Sequence, residues 1–297
     1  MPTARFTSLY DNATLGRIER MRLLPRRRLT NRSRGEHLAG KGGTSTEFND
    51  YRDYSAGDDM RYVDWNIFSR LNRPYIKLYR HEEEMHVVVM IDASASMRFG
   101  TKLERARQLA GAFAIMGMMN LEKVSLYAAQ DRETAPKILP PCTGRMSLKR
   151  VLDFLEDLPA GRDYPIEQAV DAVLNQHRGR GIAIVLSDFL TFGDVDRSFN
   201  RLFSAGLEPF AMQILSPEEL QPDVTGDVRF VDVETSYTLD VSSAGDLLGL
   251  YHEHLTGLQD RLGTVCRQRG GRFLSINAAD PIETVLFDTL RRKGWVQ

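Results

Sequence analysis

The strongest chemical signal in the chain is Asp92-Ala93-Ser94-Ala95-Ser96-Met97, in which a carboxylate is followed by hydroxyls two and four residues on. It stands directly after His86-Val87-Val88-Val89-Met90-Ile91, a nearly unbroken apolar run of the kind found in parallel strands covered on both faces. A carboxylate and two hydroxyls at the carboxyl end of a strand suit one hard cation. Mg2+ takes near-octahedral oxygen ligands and keeps several waters, which leaves positions open for water and for an acidic group from outside. A second acid occurs in Ser187-Asp188-Phe189, after the apolar run Ile182-Ala183-Ile184-Val185-Leu186. Strands of one parallel sheet end on the same side, so Asp92 and Asp188 are expected to meet despite their separation in sequence. The competing reading is local. Asp and Ser at a strand end also bond nearby backbone N–H groups or cap the next helix, and Asp188 taken alone fits that role better than a ligand's.

Such a site needs a sheet to hold it, and the pattern from residue 85 onward supplies one. A helix is expected from about Thr101, with Leu103, Ala106, Ala110, Phe113 and Gly117 on one face. Strands are expected at 124–129, 182–186, 208–215, 228–233 and 272–276, and further helices at 148–155, 166–177, 195–205, 249–268 and 282–292. The alternation predicts an α/β fold with a doubly wound, mostly parallel sheet and right-handed crossovers. Upstream the pattern differs. An amphipathic helix capped by Asp11 or Asn12 carries Leu15, Ile18 and Met21 and ends at Pro25, and a Gly-, Ser- and Arg-rich loop follows it. Residues 48–84 are dense in aromatic and arginine side chains and predict a small strand-rich module, with strands at 62–65 and 75–79. The division expected is therefore 1–84 for the basic, aromatic N-terminal helix and strand module and 85–297 for the α/β domain.

Composition narrows the function classes. The 39 Lys and Arg nearly balance the 40 Asp and Glu, which gives no overall field favouring nucleic acid or an anionic membrane. Residues 1–45 are the exception, with ten basic against three acidic residues. Only Cys142 and Cys266 occur, in no metal or disulfide spacing, which fits a reducing compartment. No N-terminal apolar leader is visible, and the most apolar helical run, 110–119, is far short of the ~20 residues that a membrane span needs. A cytoplasmic protein without a membrane span is expected.

The Asp92-x-Ser94-x-Ser96 and Ser187-Asp188 motifs resemble the metal-ion-dependent adhesion site (MIDAS) of von Willebrand factor A (vWA) domains. Phe48-x-x-Tyr51-Arg52-x-Tyr54-x-x-Gly57-Asp58-Asp59-x-Arg61-x-x-Asp64-Trp65 resembles the signature of the bacterial family catalogued as domain of unknown function 58. Gly226 and Asp232-x-Glu234-Thr235 extend that resemblance towards the C-terminus. The resemblance implies a vWA-like domain that binds Mg2+ or Mn2+ through Asp92, Ser94, Ser96 and Asp188. It also implies a protein partner, a MoxR-type AAA+ ATPase, in a chaperone-like or assembly role. In vWA sites a Thr supplies a further ligand. By register that place falls on Tyr164, so the neighbouring Asp163 is the candidate substitute. Arg52, Gly57, Asp58, Arg61, Asp64 and Trp65 are expected to be structural, with Arg52, Arg61 and Arg70 in ion pairs with Asp58, Asp59 or Asp64.

Two other function classes compete. A phosphatase-like hydrolase could use Asp92 as a nucleophile, but haloacid dehalogenase-type enzymes carry a second Asp two residues on, where this chain has Ser94. No Walker A loop, G-x-S-x-G elbow or G-x-G-x-x-G follows a strand, so no enzyme activity is expected. A nucleic-acid binder could use the N-terminal arginines and the exposed aromatics, but the near-neutral charge and the lack of a known reading motif speak against it.

Overall fold

The computed structural model describes residues 6–25, 46–81, 85–131, 133–162, 166–190, 193–224, 226–232, 238–241 and 247–297. The chain divides into two compact units, Met1–Arg27 with Met85–Gln297, and Arg28–Glu84. The division expected at residue 84 is thus corrected at its N-terminal end, because the first helix belongs with the α/β unit. That helix, α1 (Asn12–Ile18), is capped by Asp11, whose side chain accepts from Thr14 N at 2.6 Å. It buries Leu15 and Ile18, with Leu9 and Tyr10 buried just before it. The helix stops well short of Pro25: Arg20 N and Met21 N close tighter turns onto Arg17 O and Ile18 O, and the N–H groups beyond them pair with the C-terminal segment. Arg22 N donates to Gln297 O at 3.1 Å and Leu24 N to Trp295 O at 2.9 Å. Most of the basic stretch and Asp163, Tyr164, Glu234 and Thr235 lie outside the described residues.

The smaller unit is a hairpin with a helix between its strands. Strand β1 (Thr46–Asp53) runs antiparallel to β2 (Tyr75–His81), and α2 (Trp65–Leu71) lies between them in sequence. The strand expected at 62–65 is instead a 3₁₀ turn, Met60–Tyr62, leading into α2. Asp64 causes the change. Its Oδ1 accepts from Asn66 N at 2.9 Å and Ile67 N at 3.2 Å, which nucleates a helix where aromatic content alone suggested extension.

The α/β unit begins with β3 (His86–Asp92), α3 (Lys102–Met119), β4 (Lys123–Ala129) and β5 (Lys137–Cys142). Helices α4 (Leu148–Glu156) and α5 (Ile166–Gln176) lead to β6 (Gly181–Ser187), α6 (Val195–Ser204), β7 (Leu207–Leu215) and the short α7 (Pro217–Leu220). A small antiparallel pair, β8 (Val228–Val231) and β9 (Thr238–Val241), precedes the long α8 (Leu248–Gln268) and β10 (Arg272–Asn277). The strand expected at 228–233 therefore stands apart from the main sheet. A π-helical turn, Thr284–Thr289, and α9 (Leu290–Arg292) close the chain.

The main sheet has the order β10-β7-β6-β3-β4-β5 and is parallel except for β5. It is the doubly wound, mostly parallel arrangement expected from the sequence. Strands β6 and β7 are buried along their whole length, which explains the unbroken apolar run 182–186 in β6. Helix α3 was expected to bury one face, yet it is buried on all sides from Leu109 to Met118. Each fully buried side chain of the size of Phe113, Phe199 or Phe210 contributes roughly 1.5–3 kcal/mol. Among the described residues no helix is long and apolar enough to cross a membrane. From β3 the chain builds outwards to β4 and β5 on one side, then returns to build β6, β7 and β10 on the other. The winding reverses between β3 and β6, and the crevice at their carboxyl ends is where open α/β sheets bind ligands.

Candidate functional site

Adjacent parallel strands carry the two acids to that crevice. Strand β3 pairs with β6 so that Ile91 lies opposite Leu186, which brings Asp92 beside Ser187 and Asp188. Ser187 joins the two strand ends, its hydroxyl donating to Asp92 Oδ2 at 2.6 Å and accepting from Phe189 N at 2.9 Å. Asp92 Oδ1 accepts from Ser94 N at 2.9 Å, so the local turn anticipated as the alternative reading is present too. The Ser94 and Ser96 hydroxyl oxygens lie 3.0 Å apart. Asp92, Ser94, Ser96 and Asp188 are therefore gathered at one sheet edge.

The loop after β3 is held by a neighbouring segment. Ala93 O accepts from Gly161 N at 2.6 Å, Ala95 N donates to Arg162 O at 2.5 Å, and Arg162 N donates to Gln130 O at 2.8 Å. Arg98 reaches the carbonyls of Ala160 and Gly161 at 3.1 and 2.9 Å. A side chain at Gly161 would place its Cβ 1.7 Å from the Gln130 carbonyl oxygen, so only glycine fits this approach. The strap delivers residues 160–162 to the crevice, and Asp163 follows outside the described residues.

Asp188 is 2 % exposed and both its carboxylate oxygens are engaged. Leu190 N donates to Oδ1 at 3.0 Å, and the ammonium of Lys102 donates to Oδ2 at 2.8 Å. Lys102 is fully buried and donates also to Glu219 Oε1 at 2.6 Å. Glu219 is fixed in turn by a capping box with Ser216, and its carbonyl accepts from the Tyr251 hydroxyl at 2.6 Å. The carbonyl of Asp188 accepts from the buried Gln213 side chain at 3.0 Å. Phe189 has a left-handed backbone with φ of 57°, costly for a non-glycine residue. Its ring is 1 % exposed and sits edge-on against Phe199, which holds the turn in place.

Burial and the nearby charge of Asp188 push the Asp92 carboxyl up to about 6, against the hydrogen bonds from Ser187 and Ser94. Burial acts to lower the Lys102 ammonium, but Asp188 and Glu219 outweigh it and hold the group above the ordinary lysine range. The edge is thus rich in negative charge. The Ser94 to Ser96 spacing matches the edge of an octahedron, about 3.0 Å when metal–oxygen bonds are about 2.1 Å. These residues fit a small divalent cation in donor type and spacing, with hydroxyls supplying what further acids do not. Among the described residues no three His, Cys, Asp or Glu converge.

Sequence reasoning missed Lys102 and Glu219, and it gave Ser187 no role of its own beyond its place in the Ser187-Asp188 motif. A lysine in the first turn of a helix reads as solvated, whereas the spacing Ser216-Pro-Glu-Glu219 was a visible capping signal.

The residues of the N-terminal signature lie in the smaller unit. Arg52 forms a two-pronged pair with Asp58 at 2.8 and 2.6 Å, across a turn in which Gly57 has φ of 107°. Arg61 pairs with Asp59 on the surface. Asp64 was expected to meet an arginine but instead accepts from Lys77 at 3.1 Å and the Tyr51 hydroxyl at 3.1 Å, because the alternation of β2 turns Lys77 towards it. Arg70 makes no ion pair among the described residues. Trp65 is 55 % exposed and packs edge-on against Phe68.

A family model described as protein of unknown function DUF58 matches residues 50–252. An uncharacterised protein of Mycobacterium bovis is 31% identical over 214 residues, covering 70% of this chain and 67% of that protein. Among solved structures, a conserved hypothetical protein BatB from Bacteroides thetaiotaomicron is 14% identical with a TM-score of 0.44, over 70% of this chain and 98% of that one. The mussel byssus protein PTMP1, solved with a zinc-occupied MIDAS motif, is 14% identical with a TM-score of 0.33, over 44% of this chain and 38% of that one.

Proposed function

The chain belongs to the DUF58 family, and from that premise we propose that its α/β unit is a non-enzymatic docking domain that holds a divalent cation at the carboxyl edge of its sheet. One observation carries this reading. Asp92 and Asp188 converge through Ser187 at adjacent strand ends, beside two hydroxyl oxygens at ligand-to-ligand spacing. Asp92, Ser94 and Ser96 would hold Mg2+ or Mn2+, with Asp188 next to them, and Asp163 is the proposed further donor. The cation would supply a concentrated positive charge that attracts one acidic side chain of a partner protein. The chain's own residues do the rest. Ser187 fixes the distance between the acids, Gly161 seats the strap, and the turn at Phe189 and Leu190 shapes the rim of the site.

The partner class we propose is a MoxR-type AAA+ ATPase in a chaperone-like or assembly role. A groove lined by Leu190, Asp194, Arg197, Arg201, Leu258 and Arg261 gives such a partner a mixed polar and apolar contact area. A hydrolase reading is weaker, since both oxygens of Asp188 are committed and the position for a second acid after Asp92 is Ser94.

Calorimetric titration of Mg2+ and Mn2+ into the protein and into Asp92→Ala tests the cation. Heat in the wild type and none in the variant is expected, and identical heats would end this reading. A pull-down with the ATPase in Mg2+ and in EDTA tests the docking mechanism, with folding of the variant checked by circular dichroism. Retention of full binding in EDTA and in Asp92→Ala would overturn it.

A further inference from the structure

The least expected group at the sheet edge is the ammonium of Lys102. It is 0 % exposed, and a lysine is rarely so fully buried unless it is paired. It is also the first residue of α3, where the helix dipole disfavours positive charge. Helix propensity and solvation do not account for a lysine there. The two carboxylates do, Asp188 at 2.8 Å and Glu219 at 2.6 Å.

We propose that Lys102 is a built-in counter-cation of this edge, competing with a divalent cation for Asp188 and so setting how tightly the cation is held. The proposal rests on the cation reading of the edge and adds a determinant of its affinity. Asp188 and Glu219 face one ammonium, and Asp92 stands at the adjoining strand end, joined through Ser187, so the edge carries a surplus of two negative charges when all three acids are ionised. A divalent ion makes the group neutral, whereas a monovalent ion leaves it charged. Lys102 reduces the attraction for that ion by repelling it and by drawing on Asp188. Its second acceptor makes exchange feasible. Glu219 is locked by the Ser216 capping box, so the ammonium keeps a partner when Asp188 turns towards the cation. The site therefore stays paired with and without metal.

The experiment is calorimetric titration of MgCl2 and MnCl2 into EDTA-stripped wild type, Lys102→Met and Glu219→Gln, each checked by circular dichroism. Lys102→Met is expected to bind the ion at least about tenfold more tightly, a lower bound on the effect of one unit charge a few ångström away at an effective dielectric near 20. Glu219→Gln removes a negative charge, leaves the ammonium wholly to Asp188, and is expected to weaken binding several-fold. A lysine that is merely structural would not move affinity in opposite directions in the two variants. Folded Lys102→Met with equal or weaker affinity, or shifts in the same direction in both variants, overturns the proposal. Where Lys102→Met does not fold, Glu219→Gln decides alone, and unchanged or tighter binding overturns it. Absence of heat in all three proteins overturns the cation site itself. Wild-type binding that neither variant alters overturns only the counter-cation.

Discussion

Replacing Asp92 by asparagine should make the metal-free protein more stable near neutral pH. The carboxyl of Asp92 is raised from the ordinary 3.8 to about 6 by burial and by Asp188. A carboxyl raised in the folded state binds more protons there than in the unfolded chain, so stability falls as pH climbs through that window. Above pH 6 the full cost applies, about two pH units at about 1.4 kcal/mol each, or roughly 3 kcal/mol as an upper figure. Asparagine is nearly isosteric. Its carbonyl can keep the bond from Ser94 N, and its amide can donate to the Ser187 hydroxyl, reversing that bond. Relaxation around the charged form reduces the gain, so about 1–2 kcal/mol is expected at pH 7.5 in EDTA, with about half of it left at pH 5. Urea denaturation at both pH values measures it. Saturating Mg2+ should stabilise the wild type and not the variant, narrowing or reversing the order. A variant less stable than wild type at pH 7.5, or one with the same advantage at both pH values, would refute the account of a strained acidic edge.

Three further outcomes follow from the same structure. Gly161→Ala, whose Cβ would meet the Gln130 carbonyl, should cost about 2–4 kcal/mol by displacing the strap and should weaken Mg2+ binding, read by denaturation and calorimetry. Glu122 has a carboxylate oxygen buried without a hydrogen-bond partner, and burial pushes its carboxyl up to about 8. Stability is therefore lost as pH rises from its ordinary 4.5 through 8, and Glu122→Gln should gain about 2 kcal/mol at pH 8 and little at pH 5, by urea denaturation. Asp64→Ala removes the cap of α2 along with the partner of Lys77 and should destabilise the smaller unit by about 1–2 kcal/mol, seen as faster limited proteolysis between residues 46 and 81.

The site was legible in sequence because a parallel sheet converts two strand-end motifs into neighbours whatever lies between them. Asp92 and Asp188 needed only the apolar runs before them to be placed together. Lys102 was not legible, since its burial depends on α7 folding back so that Glu219 meets it, and the first turn of a helix gives no sign of that. Pro140 and Pro141 hid β5, because prolines are unexpected in strands except at an edge. The 62–65 segment misled in the other direction. Its aromatic residues suit a strand, but Asp64 was well placed to cap, and a cap with two backbone donors outweighed that preference.

The two prolines of β5 have a consequence for how the molecule behaves in company. A strand at the border of a sheet presents a row of free donors and acceptors that another chain can copy, the usual start of uncontrolled stacking. Successive residues of a strand point their N–H groups in opposite directions within the sheet, and Pro140 and Pro141 have none. One donor is missing on the inward side, where the pairing with β4 is irregular between Val124 and Leu126, and one on the outward side. The outer border of β5 is therefore a poorer template for a further strand than an edge with all its donors.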